Sequence, residues 1–149
     1  MNDFIALCAV GAEPVLTREL KILGFKPYNR LPGRVFFTST EAEPLLAFFK
    51  ANYFLRTADR VFMLINTAKA ENFDDLFDLV FSIDWHNHFP RDARITIDKV
   101  RTYKSKLSSE HAVQSIVHKA VCDKLCKKWN MHSLPETGTR FMIRIYIEN

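Results

Sequence analysis

The chain has 149 residues, of which 48% are hydrophobic and 26% are charged, and this composition suits one folded domain or two small ones and excludes a disordered chain. No run of about eighteen apolar residues could span a membrane, and the N-terminus lacks the basic start and cleavage site of a secretory signal. We therefore expect a cytoplasmic protein with no membrane partner.

The chain opens with the signals of a strand and a helix. Residues 4–9 are almost all apolar, which predicts a buried strand. The helix that follows places Leu16 and Leu20 on one side, and Gly24 is the kind of residue at which helices commonly end. A β-α unit is therefore predicted at the start of the protein.

A hairpin, a second helix and a fourth strand are predicted next. Residues 25–30 and 34–38 can form the hairpin, and Thr40 and Glu43 have the spacing of a capping box in front of the helix. Residues 59–68 supply the strand. The resulting β-α-β-β-α-β order is typical of the ferredoxin-like pattern, so we predict an α+β protein with a ferredoxin-like N-terminal subdomain.

The chain divides most naturally near residue 68, where a second set of elements begins. Residues 73–81 have apolar side chains at helical spacing, which predicts a short amphipathic helix. Its aspartates Asp74, Asp75 and Asp78 fall on the opposite face, and there they keep the subdomain soluble rather than form a catalytic cluster.

The rest of the second part predicts a strand, a long helix and another strand. The strand covers residues 94–100, the helix covers roughly 109–129, and residues 140–147 alternate as a half-buried strand does. Before them, Trp85 and Phe89 lie in a loop that could plug a small core.

A basic, hydroxyl-rich loop, residues 101–109, connects the first of these strands to the long helix. Ser108 or Ser109 can cap the helix, and Glu110 suits the positive end of its dipole. Helix N-termini, lysines and arginines bind phosphates because they supply positive potential, and this binding does not depend on the base sequence of the nucleic acid. The loop therefore predicts a nucleic-acid-binding site.

The net charge of +4 is distributed unevenly along the chain. Residues 1–68 carry eight basic and six acidic side chains, residues 69–98 carry three and seven, and residues 99–149 carry ten and four. The net charges of the three segments are therefore +2, −4 and +6. A basic C-terminal third is the electrostatic footprint expected of a phosphate-binding face, although such charge runs also occur as plain solvated surface.

Three cysteines are too few for a disulfide framework and agree with a reducing compartment. Cys122 and Cys126 stand four residues apart on the long helix, with His118 four residues before them, so a metal or redox site has to be weighed. A closed zinc site needs four ligands and no second pair is present, so we interpret these residues and Cys8 as core thiols and predict no metal.

Asp84, His86 and His88 are a second place where acid-base or metal chemistry could be sought. Trp85 and Phe89 in the same segment are better explained by packing, and no nucleophile with a plausible base is found in the chain. We therefore predict no catalytic residue.

The chain resembles, over essentially its whole length, the N-terminal part of THUMP-domain RNA methyltransferases, in particular the bacterial enzymes that methylate the exocyclic amine of guanine in large-subunit ribosomal RNA. Short segments in the family's order carry the resemblance, and the fifth of them is the most specific. They are Gly11-Ala12-Glu13 with Glu19-Leu20 and Leu23-Gly24, then Gly33-Arg34-Val35 with Phe37, then residues 56–61, then Ile83-Asp84-Trp85 with Phe89-Pro90, then residues 104–108 with Gln114, Ile116, Lys119 and Ala120.

The resemblance implies a ferredoxin-like subdomain at residues 1–68 and a THUMP α/β subdomain at residues 69–149, incomplete before its last strand. It also implies a module that recognises RNA shape, ribosomal RNA before transfer RNA, and presents a nucleotide to a methyltransferase domain that uses S-adenosylmethionine. With four glycines, the chain has no glycine-rich cofactor loop, and it lacks the Asn/Asp-Pro-Pro-Tyr signature of such amine methylation. We therefore expect this chain alone not to be an enzyme, and to be a fragment of one that carries its catalytic domain in cis.

For RNA contacts we expect charge from lysines and arginines, short contacts or a helix cap from serines, and stacking on an unpaired base from one tyrosine. The expected residues are Lys99, Arg101, Tyr103, Lys104, Ser105, Lys106, Ser108, His111, Lys119, Lys127, Lys128 and Arg140. The alternative function is a stand-alone RNA-binding module or a protein-interaction scaffold whose basic face meets an acidic partner.

Overall fold

The computed structural model describes residues 2–148 and divides the chain into two units between Thr67 and Ala68. Each unit has its own sheet and its own hydrophobic core. Among the described residues, no helix is both long enough and apolar enough to cross a membrane.

The N-terminal unit has the β-α-β-β-α-β order that the sequence predicts. Its elements are β1 (Asn2–Leu7), α1 (Glu13–Ile22), β2 (Lys26–Leu31), β3 (Arg34–Ser39), α2 (Pro44–Phe54) and β4 (Arg60–Met63). The strands form one antiparallel sheet in the order β2-β3-β1-β4. The ferredoxin-like prediction is confirmed, because the two strands that are central in space are the first and third along the chain.

The core of this unit lies between the sheet and its helices. Leu16 and Leu20, one helical turn apart on α1, are completely buried, as are Phe4 on β1 and Phe37 on β3. The Phe37 ring stacks on Phe4 with 5.3 Å between centroids. Gly24 follows α1 with a φ of +85°, a conformation that other residues adopt at a cost, and so it ends the helix as predicted.

Two glutamates of α1 hold neighbouring loops by their carboxylates. Glu13 accepts hydrogen bonds from the backbone amides of Gly33 and Gly11, and the Gly33 bond is the main reason that the pKa of Glu13 is lowered. Glu19 accepts from the amides of Arg56 and Thr57, at 3.2 and 3.0 Å. Both carboxylates therefore stabilise turns of the fold.

Two details of the N-terminal prediction are wrong. Glu43 occupies the N-cap of α2 without a side-chain hydrogen bond, so Thr40 does not cap the helix; Pro44, which has no amide to satisfy, starts it instead. The last strand ends at Met63 instead of residue 68, because its partner β1 runs antiparallel and Met63 already pairs with Phe4 near the start of that strand. One bond, from the Leu64 amide to the Asp3 carbonyl, continues beyond it.

The C-terminal unit contains α3 (Phe73–Ser82), a single 3-10 turn (Trp85–Asn87), β5 (Arg94–Tyr103), α4 (Glu110–Trp129) and β6 (Arg140–Glu148). Strands β5 and β6 pair in parallel, and α4 connects them, which makes a β-α-β unit. Helix α3 packs against α4. All four regular elements predicted for this part of the chain are present.

Helix α4 covers one face of the two-stranded sheet. Val113, Val117, Val121 and Leu125 recur at helical spacing and are at most 2% exposed. From β6, the alternate residues Phe141, Ile143, Ile145 and Ile147 pack partly buried against the same core, as the alternation predicts.

The segment between α3 and β5 plugs one end of this core. Trp85 is 4% exposed, lies parallel to the Phe89 ring at 5.6 Å, and donates its indole N–H to the Val80 carbonyl at 2.8 Å. Burial, and to a lesser degree the neighbouring His86, lowers the pKa of His88. The packing explanation of this segment is confirmed.

Candidate nucleic-acid interface

The predicted loop at residues 101–109 begins later than expected, because β5 continues to Tyr103. The loop proper, residues 104–109, which we call the basic loop, is held to the C-terminal unit by its own residues. Leu107 is only 2% exposed and belongs to the core beneath α4. The Thr102 hydroxyl donates to the Ser108 carbonyl at 3.4 Å, and the Ser105 hydroxyl accepts from the Leu107 amide at 3.1 Å. The loop therefore has one buried anchor and two local hydrogen bonds that stabilise its shape.

A serine cap joins the basic loop to α4. The Ser109 hydroxyl accepts a hydrogen bond from the Ala112 amide at 3.3 Å, and Glu110 follows in the first turn. Of the two serines predicted for this role, Ser109 is the cap. Ser108 lies exposed beside it and contributes its carbonyl to the bond from Thr102.

The cationic groups of the basic loop are presented to solvent. Lys104 and Lys106 are exposed, and Lys104 has a φ of +51°, which is uncommon for a residue with a side chain. Its ammonium lies 5.2 Å from the ring centroid of Tyr103, which is 63% exposed. A cation and an exposed aromatic ring are therefore adjacent at the end of β5.

A bulge at Asp98 decides which side chains of β5 face away from α4. The register with β6 shifts between Ile97 and Lys99, so one residue is inserted there. Ile97 and Val100 are both buried in the α4 core, whereas strict alternation from Ile97 would bury Lys99 and Arg101. Because of the bulge, Lys99 and Arg101 are exposed on the other face.

The structure brings eight of the expected residues together at the carboxyl end of β5. They are Lys99, Arg101, Tyr103, Lys104, Ser105, Lys106, Ser108 and His111, and we call them the near group. They come from the end of one strand, the basic loop and the first turn of α4, so few residues of chain separate them.

The other four expected residues lie elsewhere in the unit. Lys119 is exposed about two and a half turns along α4 from Glu110. Lys127, with its neighbour Lys128, is about 26 Å from the start of the helix, at a rise of 1.5 Å per residue. Arg140 pairs with Arg94, at the end of the sheet opposite the basic loop.

Two arginines that the sequence reasoning missed lie at this far end. Arg91 donates to the Trp129 carbonyl at 3.5 Å, and Arg94 is exposed opposite Arg140. The signal that could have found Arg94 is the parallel pairing of the two strands, which places residues of equal register side by side. Together with Lys127 and Lys128, we call Arg91, Arg94 and Arg140 the far group.

Two cysteines and a histidine lie close together along α4. The Cys122 sulfur lies 3.8 and 3.9 Å from the ring nitrogens of His118, and burial raises the pKa of Cys122 to about 11. Burial also raises the pKa of Cys126. Within residues 2–148, no group of three His, Cys, Asp or Glu side chains is placed to hold a metal ion.

Comparison with known proteins gives two adjacent family matches. Residues 3–62 match the family described as the RlmL ferredoxin-like domain, and residues 70–149 match the family described as the THUMP domain. YpsC of Bacillus subtilis (strain 168), named as a candidate RNA methyltransferase, is 32% identical over an alignment of 149 positions that covers 95% of this chain and 36% of YpsC.

Two further similar proteins bear on the chemistry. The ribosomal RNA large subunit methyltransferase K/L of Buchnera aphidicola (subsp. Acyrthosiphon pisum, strain APS) is 33% identical over 89 residues, 60% of this chain and 12% of that protein. A crystal structure of a candidate methyltransferase complexed with SAH (S-adenosylhomocysteine) is 32% identical, with a TM-score of 0.89 over 98% of this chain and 38% of that one. The chain therefore spans little more than a third of YpsC and about an eighth of the Buchnera enzyme.

Proposed function

The chain belongs to the THUMP-domain family, and from this premise we propose that it is the RNA-binding and substrate-positioning module of an RNA methyltransferase that uses S-adenosylmethionine. The favoured substrate is ribosomal RNA, and the favoured reaction is methylation of the guanine N2 amine. The catalytic domain and its cofactor belong, in this proposal, to a further part of the same polypeptide. The names and lengths of the relatives support a catalytic domain elsewhere in the polypeptide, because one is named a ribosomal RNA methyltransferase, two are named candidate methyltransferases, and this chain covers only part of each.

One observation carries the RNA-binding part of the proposal. The basic loop is anchored by the buried Leu107, and within it Lys104 and Lys106 are exposed, with the Lys104 ammonium over the exposed Tyr103 ring. Lysines and arginines neutralise phosphates, and an exposed aromatic ring offers a surface on which an unpaired base can stack.

The far group supports a longer footprint on a folded RNA. The near and far groups stand at opposite ends of β5, whose ten residues span about 30 Å. Two separated positive regions suit a folded RNA, which is recognised by its shape, better than they suit a single bound nucleotide. We propose that the near group provides the main contact and that the far group adds backbone contacts.

A competition experiment with the 149-residue chain tests this function. A fragment of large-subunit ribosomal RNA that folds and keeps an unpaired segment should displace a labelled RNA at lower concentration than transfer RNA does, and transfer RNA at lower concentration than heparin of equal total charge. A shape-selective module should rank them in this order, because unpaired bases and folded shape add to charge. Equal competition by heparin would favour a scaffold with a basic face over an RNA module.

A further inference from the structure

A groove of about 370 Å³ lies between the bulge of β5 and the first turns of α4, next to the basic loop. This volume is near the lower end of the range for small-ligand sites, roughly 300 to 1,000 Å³. Its lining residues are Asp98, Lys99, Val100, Glu110, His111 and Gln114. Only two of them, Lys99 and His111, belong to the near group.

The chemistry of the groove differs from that of the basic loop. Two of its lining residues, Asp98 and Glu110, carry carboxylates, and the Asp98 carboxylate is ion-paired with Arg144. From α4, the His111 ring and the Gln114 amide stand beside Glu110, so hydrogen-bond donors and acceptors lie together on the helix wall of the groove. Such a mixture suits the edge of a nucleobase, where donors and acceptors also alternate.

Hydrogen bonds hold two of the lining side chains in place. The Gln114 amide nitrogen donates to the Ile97 carbonyl at 3.1 Å, which leaves its oxygen as an acceptor. The Asp98 carboxylate accepts a hydrogen bond from the Arg144 guanidinium across the strand pair. Glu110 lies in the first turn of α4 and is exposed, so its carboxylate is accessible to a ligand in the groove.

We propose that this groove binds one unpaired nucleobase that carries an exocyclic amino group, with Glu110 accepting a hydrogen bond from that amine. Carboxylates accept from the amino group of cytosine, and RNA-binding proteins read unpaired bases on their edges. The phosphate of the same nucleotide lies on the basic loop, whose last residue, Ser109, directly precedes Glu110. This inference rests on the proposed function and adds a preference for base identity to it.

Cytidine and uridine pentamers test the inference, because they have equal charge and similar size and differ on the base edge, where cytosine has an amino group and an N3 acceptor and uracil has a carbonyl and an N3–H donor. The 149-residue chain should bind oligo(C) more tightly than oligo(U) by about fivefold or more, the range expected for one charge-assisted hydrogen bond. Glu110→Ala should abolish this preference by weakening oligo(C) binding without weakening oligo(U) binding. The matched control is Asp123→Ala, which removes one exposed carboxylate from the same helix outside the groove and should keep the preference.

The sign of the Glu110→Ala effect separates base recognition from general electrostatics. If Glu110 were only a solvated charge, its removal would strengthen binding of both pentamers, since a negative group beside the phosphates would be removed. That result would overturn the inference and leave the RNA-binding proposal intact. The same holds if the parent chain binds the two pentamers equally, or if it binds folded ribosomal RNA but neither pentamer. Failure of the proposed function is distinct: heparin would then compete as well as folded RNA.

Discussion

Phe37→Ala is expected to lower the free energy of unfolding of the N-terminal unit by about 3 to 5 kcal/mol, the usual cost of truncating a buried phenylalanine. Phe37 is fully buried on β3, stacks on Phe4 and meets the Phe25 ring edge-on at 5.1 Å. Its truncation leaves a cavity at the point where β3, β1 and the end of α1 converge, and the rings of Phe4 and Phe25 no longer pack against a common partner.

Phe36→Ala provides the matched control for this prediction. Phe36 is the preceding residue on the same strand, so its side chain points to the other face of the sheet, where it is half-buried beside Tyr28. Urea unfolding followed by far-ultraviolet circular dichroism should therefore show the larger destabilisation for the Phe37 variant. A larger destabilisation for the Phe36 variant would mean that the register of β3 is shifted by one residue.

Leu107→Ala is expected to weaken RNA binding although it changes no charge. Leu107 anchors the basic loop in the core. If the loop stays in place after truncation of this side chain, the free energy of unfolding should fall by about 2 to 5 kcal/mol. If the loop detaches, its residues must be ordered when RNA binds, at roughly 1 to 2 kcal/mol for each backbone residue. Because 1.4 kcal/mol corresponds to a factor of ten, the affinity should fall about tenfold or more.

Leu134→Ala controls for weaker core packing alone. Leu134 packs partly buried against the same core, from the connection between α4 and β6. RNA titrations at a temperature where all three proteins are folded should show weaker binding for the Leu107 variant and parental binding for the Leu134 variant. Equal affinities of the Leu107 variant and the parent would show that the anchor is not needed for binding.

The strands and helices were predictable because their apolar residues follow the two periods of regular structure. Leu16 and Leu20 on α1 and the alternating residues of β6 illustrate both cases. The resemblance to THUMP-domain methyltransferases is confirmed by the two family matches. Glu13 and Glu19, which lie among the residues that carry it, hold turns of the fold, so they indicate the family through its architecture.

The arrangement of the candidate site was less predictable, because it depends on long-range pairing. A bulge has no reliable local signal, yet the one at Asp98 decides that Lys99 and Arg101 are exposed together. Distances along α4 explain why Lys127 and Lys128 separate from the basic loop. The groove beside Glu110 was not predictable either, since its walls come from a strand and a helix and no short motif joins them.

The most direct test of the central claim is the salt dependence of RNA binding by a Lys104→Ala/Lys106→Ala double variant, compared with Lys127→Ala/Lys128→Ala. Both variants remove two exposed lysines from the C-terminal unit, the first pair from the near group and the second from the far group. We expect the first to bind folded ribosomal RNA more weakly, with a slope of log K against log salt that is shallower by about 0.7 for each single-strand phosphate that the protein no longer neutralises. The second should change less. Parental affinity and slope in the Lys104/Lys106 variant would contradict the account.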